Sequence, residues 1–262
     1  MASYLVTGCS RGLGLALVTR LMTFPKTEVG TIIATARRDD STQLKKVVDA
    51  SSGRVHFITL DITDLESVNE AAGIAESQLQ GKGLDYLINN AGVMDWSPKG
   101  MEEMDNLDEV LNVNTTGPHY VSRAFLPLLR RGDKRTVINM WRTYTEKSRS
   151  STLASMTMAE NFRLLPSPAY KISKAALNML TTQYAKQYAD VGFTFLGISP
   201  GWLRTDLGGA RADLSVELGA EKVLDIIQKA TPRQNGKFLN IHVPGWQAAD
   251  GADQYDGKQI PW

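Results

Sequence analysis

Short apolar stretches alternate along the chain with longer segments in which apolar residues recur at helical spacing. Such alternation is typical of α/β proteins whose strands lie parallel in one sheet. We predict seven strands, at residues 4–6, 29–35, 55–60, 84–88, 135–140, 193–198 and 236–241. The predicted fold class is therefore α/β, with a doubly wound, seven-stranded parallel sheet and helices on both faces.

The turn between the first strand and the first helix is rich in glycine. It runs from Thr7 to Gly14 with the spacing G-x-x-x-G-x-G. Glycines let a backbone turn tightly and approach a pyrophosphate, and the start of the next helix faces the phosphate charge. A structural turn would also explain a lone glycine run. We nevertheless predict a Rossmann-type dinucleotide site that includes Gly8, Ser10, Arg11, Gly12, Leu13 and Gly14.

The end of the second strand is basic. A carboxylate at this position would accept a hydrogen bond from a free ribose 2′-hydroxyl, whereas an Arg would pair with a 2′-phosphate. The chain has Ala36 followed by Arg37 and Arg38, and Arg11 can add a second positive charge. We therefore predict that NADP(H) is preferred over NAD(H). Asp39 argues against this, since a small shift of the loop would bring its carboxylate to the ribose.

Polar and small residues follow the third and fourth strands, and ligands of such sheets bind at the carboxyl ends of strands. Asp61 is placed to accept a hydrogen bond from an adenine amino group, although capping of the next helix explains it equally well. Farther on, Asn114 interrupts a helical apolar pattern. The predicted cofactor residues of these strand ends are Asp61, Ile62, Asn89, Ala91 and Gly92.

A long predicted helix beginning at Pro168 contains Tyr170 and Lys174. Residues at i and i+4 are neighbours on one helix face, so the lysine charge can stabilise a tyrosinate and lower the phenol pKa. Many such pairs are ordinary surface pairs. Here the pair is the strongest candidate for proton transfer.

Composition narrows the choice of partners. The 262 residues include 29 Lys plus Arg and 28 Asp plus Glu, so no strong field attracts nucleic acid or a membrane surface. Cys9 is the single cysteine, and the three histidines lack metal-ligand spacing. No apolar run is long enough to cross a membrane. We expect one domain over residues 1–262, a small-molecule partner, no bound metal and a cytoplasmic location.

These motifs together resemble the short-chain dehydrogenase/reductase family, and most of all its C-factor-like carbonyl reductases. The resemblance implies that Tyr170 is the general acid or base, that Lys174 holds the nicotinamide ribose, and that Asn114 supports a water that relays protons. It also implies that Thr205 contacts the nicotinamide carboxamide, and that a homodimer or homotetramer forms. The matching stretch after the sixth strand adds Pro200, Gly201, Trp202 and Thr205 to the predicted cofactor residues.

The chain departs from the family at one place. The family usually has a serine pair directly after the fifth strand, whereas here Trp141 and Arg142 follow Met140. A later serine-rich stretch resembles the family's serine turn, so we predict Ser151 as the catalytic serine, with Thr143 and Ser155 as alternatives. Residues 141–149 would then be an inserted flap that helps to select the substrate, and residues 93–100 and 207–214 would form other walls of the site.

The sequence therefore predicts an NADPH-dependent oxidoreductase that transfers a hydride between the cofactor and a carbonyl or alcohol. Two alternatives remain if the insertion displaces the catalytic serine. One is a cofactor-binding scaffold, and the other is a non-redox enzyme, such as a cyclase or isomerase, on the same fold.

Overall fold

The computed structural model describes residues 1–141, 157, 166–246 and 255–262. One sheet includes all the strands of these residues, in the order β3-β2-β1-β4-β5-β6-β7-β8. The strands are β1 (Ala2–Val6), β2 (Val29–Ala36), β3 (Val55–Thr59), β4 (Tyr86–Asn89), β5 (Thr136–Met140), β6 (Thr194–Ser199), β7 (Phe238–Asn240) and β8 (Gln259–Ile260).

The predicted seven-stranded parallel sheet is confirmed and extended by one strand. The strands β1 to β7 pair in parallel, and β8 pairs antiparallel with β7. The two residues of β8 are too few to give an alternating pattern, which is why the sequence did not predict this strand.

Helices connect the parallel strands. In the described residues they are α1 (Gly12–Met22), α2 (Thr42–Ala50), α3 (Leu65–Leu79), α4 (Leu107–Leu111), α5 (Gly117–Arg131), α6 (Pro168–Gln187) and α7 (Val216–Gln228). A π-helical turn, Asn112–Thr116, joins α4 to α5. None of the described helices combines the length and apolar character needed to span a bilayer.

Side chains that alternate along the strands contribute to two apolar layers, one on each face of the sheet. In β1, Leu5 packs in the layer that includes α3, α5 and α6, while Tyr4 and Val6 pack in the layer that includes α1 and α7. Both layers are almost fully buried. The helices therefore cover the two faces, and the carboxyl ends of the strands remain the edge at which a ligand can bind.

Candidate active site

The glycine turn lies directly against the loop that follows β4. Gly8 has a positive φ of 72°, and a Cβ atom there would be only 2.9 Å from the Cα atom of Ala91. A Cβ atom on Gly14 would overlap the carbonyl oxygen of Gly8. Ser41, the N-cap of α2, fixes the turn from the other side by donating a hydrogen bond to the carbonyl oxygen of Ser10 at 2.6 Å. Glycine is thus required here for packing as well as for turn geometry.

A cleft of about 550 Å³ opens above this turn at the carboxyl ends of the strands. Its size suits a large ligand. Ten of the predicted cofactor residues line it, namely Gly8, Ser10, Arg11, Gly12, Arg37, Asp61, Ile62, Ala91, Gly92 and Thr205. The structure therefore brings together residues from five separate chain segments that the sequence analysis had assigned to one site.

Asp61 and Arg37 face each other at one end of the cleft. The Asp61 Oδ1 atom accepts hydrogen bonds from the backbone N–H and the hydroxyl of Thr63, at 2.9 and 2.6 Å. Burial raises the pKa of the Asp61 carboxyl, but these hydrogen bonds and the charge of Arg37 outweigh burial and hold the pKa below its usual value. Asp61 is therefore a carboxylate at neutral pH and can accept a hydrogen bond from a ligand.

The other charged residues near the end of β2 pair with one another. Asp39 lies 3.5 Å from the Lys45 ammonium, and Arg38 lies 3.0 Å from Asp40, in both cases with exposed side chains. Arg37 lines the cleft and forms no such ion pair with another residue in the described part of the chain. The Asp39 carboxylate, which would favour a free ribose 2′-hydroxyl and hence NAD(H), is thus paired with Lys45 of α2.

Arg11 reaches across the mouth of the cleft. Its Nε atom lies 3.1 Å from an oxygen of Asp206, in the loop that follows β6. Both side chains are exposed, and both line the cleft. This ion pair links the glycine turn to the residue just before the segment 207–214, which we predicted as a wall of the site.

The structure corrects the prediction for Asn89. Its side chain does not line the cleft but lies beneath it, where Nδ2 donates to Ser122 Oγ at 3.1 Å and to Asn139 Oδ1 at 2.9 Å. The Asn139 amide in turn donates to Thr181 at 2.8 Å. Asn89 therefore links β4 to α5 and β5 and, through Asn139, to α6, because its side chain points into the interior.

Asn114 lies in the π-helical turn and is fully buried. Its Oδ1 atom accepts from the Val93 N–H at 2.9 Å, and its Nδ2 atom donates to the Val93 carbonyl at 2.8 Å and to Ser173 Oγ at 3.0 Å. A Cβ atom on Gly92 would be 3.0 Å from Asn114 Oδ1 and 3.9 Å from Lys174 Nζ. Asn114 and Lys174 therefore stand directly behind Gly92, a residue of the cleft wall.

Tyr170 and Lys174 occupy one face of α6, as predicted, and both are almost completely buried. The Lys174 Nζ atom lies 5.8 Å from the centre of the Tyr170 ring. The same atom donates a hydrogen bond to the carbonyl oxygen of Met140 at 3.0 Å. The Lys174 ammonium thus lies beside the Tyr170 phenol ring and, with the Asn114 amide, behind Gly92.

The structure also corrects the prediction for Trp141. We expected it to begin the inserted flap of residues 141–149, but its side chain is only 2% exposed and packs with Leu177, Phe238 and Ile260. The rest of the predicted flap, together with Ser151, Thr143 and Ser155, lies outside the described residues. The identity of the catalytic hydroxyl therefore remains a prediction.

Five other predicted cofactor residues do not line the large cleft. Leu13, Pro200 and Gly201 line a small cavity of about 20 Å³, which shares Thr205 with the large cleft. Trp202 is buried and donates from its ring N–H to the Gly208 carbonyl at 2.8 Å, so it holds the predicted wall at residues 207–214 in place. Gly14 supports the glycine turn.

Sequence reasoning missed several residues that line the cleft, among them Leu60, Thr63, Glu109, Val113 and Asp206. Val113 carries an apolar side chain, which helical periodicity assigns to a core. The signal that could have found it is the neighbouring Asn114, which shows that the helix changes character at this point.

Comparison with known proteins gives a consistent result. The family model described as short chain dehydrogenase matches residues 3–214. The short-chain dehydrogenase/reductase AacuF of Aspergillus aculeatus is 37% identical over 212 residues, which cover 77% of this chain and 74% of that protein. The C-signal protein of Myxococcus xanthus is 31% identical over 180 residues, which cover 68% of this chain and 93% of that protein.

A solved structure resembles the whole chain. The NADPH-bound carbonyl reductase from chicken fatty liver superposes with a TM-score of 0.83 at 28% identity, covering 100% of this chain and 99% of that one. The resemblance therefore extends beyond the glycine turn to the complete arrangement of strands and helices.

Proposed function

Because the chain belongs to the short-chain dehydrogenase family, and is accordingly an NAD(P)-dependent oxidoreductase, we propose that it is an NADPH-dependent reductase of a small-molecule ketone or aldehyde. The reverse reaction would oxidise the corresponding alcohol. The observation that carries the proposal is the placement of Lys174 and Asn114 behind Gly92, a residue of the cleft wall, with the Tyr170 ring beside Lys174 on α6.

The residues of the cleft suit a dinucleotide. A side chain on Gly8 would fill the space beside Ala91, and backbone N–H groups at the start of α1 face the position of a pyrophosphate. Asp61 has an oxygen available for an adenine amino group, because both hydrogen bonds from Thr63 use its other oxygen. Thr205 would contact the carboxamide at the far end.

The preference for NADPH is supported by the charges at the end of β2. Arg37 lines the cleft, while Asp39 pairs with Lys45. A guanidinium can bind a 2′-phosphate with two parallel hydrogen bonds. Arg11 would contribute a second contact. The NADPH-bound carbonyl reductase that shares this fold agrees with the preference.

The chemistry assigned to the chain is proton transfer. The bound nicotinamide supplies or accepts the hydride at the substrate carbon. Tyr170 donates a proton to the substrate oxygen in reduction and accepts one in oxidation. The nearby Lys174 ammonium favours the tyrosinate form by its charge. Asn114, held by Val93 and Ser173, would support the water through which Lys174 exchanges protons.

We assign polarisation of the substrate carbonyl to Ser151, with Thr143 and Ser155 as the alternatives. One observation favours a second candidate function, a cofactor-binding scaffold: the residue directly after β5 is a buried tryptophan. If no hydroxyl reaches the substrate, the protein would bind NADPH and turn over little.

Two measurements test the proposal. Fluorescence titration with NADPH and NADH measures binding, and the absorbance of reduced nicotinamide measures turnover with a panel of aldehydes and ketones. We expect binding, turnover, and a loss of about 100-fold or more in kcat for Tyr170→Phe with an NADPH Kd within about twofold of wild type. Binding without turnover would support the scaffold instead. No binding of either nucleotide would contradict both.

A further inference from the structure

The Trp141 side chain occupies a slot formed by several strands. Directly opposite its ring, β6 has a glycine: a Cβ atom on Gly197 would be 2.7 Å from the Trp141 Cζ3 atom. The ring also lies against Phe238 of β7, with 4.7 Å between the ring centres. A side chain of any size at Gly197 would displace the indole, so the slot and the ring match each other.

The backbone fixes where this ring begins. The Trp141 N–H donates to the Ile198 carbonyl at 2.9 Å, which continues the pairing of β5 with β6 by one residue. On the far side of Phe238, the Trp262 ring is stacked at 5.7 Å. Trp141 is therefore the inner end of a column of three aromatic rings, and it has little freedom to move.

Lys174 lies beside the Trp141 end of this column. The Lys174 Nζ atom is 5.9 Å from the centre of the Trp141 ring and 5.8 Å from the centre of the Tyr170 ring. Lys174 is only 3% exposed, so water screens these contacts little. The Trp141 ring N–H is buried and has no hydrogen-bond partner among the residues that the structure describes. The Trp141 side chain thus contacts Lys174 through the face of its ring and not through a hydrogen bond from its ring N–H.

We infer that Trp141 is a positioning residue, which holds the Lys174 ammonium beside Tyr170 through a cation–π contact. The inference rests on the proposed function, in which Lys174 acts on the nicotinamide ribose and on Tyr170. The Met140 carbonyl holds the same ammonium from the backbone. Two successive residues at the end of β5 therefore fix the lysine of α6, at the place where the family usually has serines.

The geometry can be tested in the protein without cofactor. Protons that lie over aromatic rings resonate upfield, so the ε-methylene protons of Lys174 should be shifted upfield in the NMR spectrum of ¹³C-lysine-labelled protein, with assignment by Lys174→Arg. We expect the signal to move downfield in Trp141→Leu and to keep an intermediate position in Trp141→Phe. An unshifted signal in the wild-type protein would overturn the inference, and this result does not depend on folding of any Trp141 variant.

Kinetics test the consequence. Phe238→Leu is the matched control, because it removes a ring from the same column but not the ring that faces Lys174. We expect Trp141→Leu to lower kcat about tenfold and to weaken NADPH binding, Trp141→Phe to restore most of both, and Phe238→Leu to change neither while lowering the Tm. Equal kcat and Kd values for Trp141→Leu and Phe238→Leu would show a purely structural role.

The inference and the proposed function can fail separately. In a protein that binds no nicotinamide nucleotide, an upfield Lys174 signal that moves downfield in Trp141→Leu would support the contact and contradict the function. Normal NADPH turnover in Trp141→Leu, together with loss of turnover in Tyr170→Phe, would support the function and contradict the inference.

Discussion

Lys174 and Met140 are joined by a hydrogen bond of 3.0 Å from the Lys174 Nζ atom to the Met140 carbonyl oxygen. The bond connects the fourth position after Tyr170 on α6 to the last residue of β5. This bond fixes the lysine ammonium against the end of β5.

We expect Lys174→Met to lower kcat/KM about 100-fold or more, because the change keeps the length of the side chain and removes its charge. NADPH binding should weaken as well, since the ribose loses a donor. Steady-state kinetics and fluorescence titration give the two values. Lys171→Met is the matched control on the same helix, and it should stay within about threefold of wild type. Equal losses in the two variants would refute a specific role for Lys174.

Arg37→Ala should weaken NADPH binding by about 10- to 100-fold, the range expected for the loss of hydrogen bonds to a charged phosphate. NADH binding should change much less, because NADH has no 2′-phosphate. Titration with both nucleotides gives the ratio. Arg38→Ala is the control, since Arg38 pairs with Asp40 outside the cleft. A parallel loss of NADH affinity in Arg37→Ala would show that Arg37 does not select the cofactor.

Asp206→Asn should tighten NADPH binding about two- to fivefold, because Arg11 then no longer has to leave an exposed ion pair to reach the phosphate. NADH binding should stay the same. Both dissociation constants come from fluorescence titration at low salt. Asp95→Asn removes the same charge from the same cleft, but Asp95 accepts a hydrogen bond from Asn106 and does not pair with Arg11. An equal gain in NADPH affinity for Asp95→Asn would show that the gain comes from the lower negative charge of the cleft and not from the loss of the Arg11–Asp206 ion pair.

Ser151→Ala should cost about 2–4 kcal/mol of transition-state stabilisation if Ser151 polarises the substrate carbonyl, which is the scale for losing one oxyanion donor. The loss should appear in kcat, with the NADPH dissociation constant unchanged. Thr143→Val and Ser155→Ala serve as comparisons. A nearly silent Ser151→Ala together with a large effect in one of the others would transfer the role to that residue.

Cys9 is fully buried, and burial raises the pKa of its thiol to about 12. In the unfolded chain a thiol ionises near a pKa of about 8.5, so above that pH the unfolded state loses its proton first and the folded state loses stability. Between pH 8 and pH 10, ionisation of this thiol should lower the free energy of unfolding by about 2 kcal/mol. Denaturant titrations should show a flatter pH dependence for Cys9→Ala. The same slope in both proteins would exclude this contribution.

The sequence predicted most of the parts that depend on local pattern. Strand ends and glycine spacing placed Gly8, Asp61, Gly92 and Thr205 in one cleft, because all parallel strands end at the same edge. Helical spacing placed Tyr170 beside Lys174. These predictions needed only the order of the segments along the chain and the side-chain periodicities of helices and strands.

Predictions that depended on distant partners were less accurate. Asn89 was assigned to the cofactor, yet its amide is engaged with Ser122 and Asn139, which are far from it in sequence. Trp141 was assigned to a flap because the motif after Met140 is unusual. No local pattern shows that a glycine on another strand leaves room for its ring.

The match between Gly197 and Trp141 has an evolutionary consequence. An ancestor with serine after β5 could accept tryptophan only if position 197 was already glycine or changed with it, since the indole and a Cβ atom compete for the same space. Relatives with an aromatic residue at the position of Trp141 should therefore have glycine at the position of Gly197. In relatives with serine at the position of Trp141, the residue at the position of Gly197 is free to vary. In aligned sequences, this covariation would identify the branch of the family in which an aromatic ring after β5 contacts the lysine equivalent to Lys174.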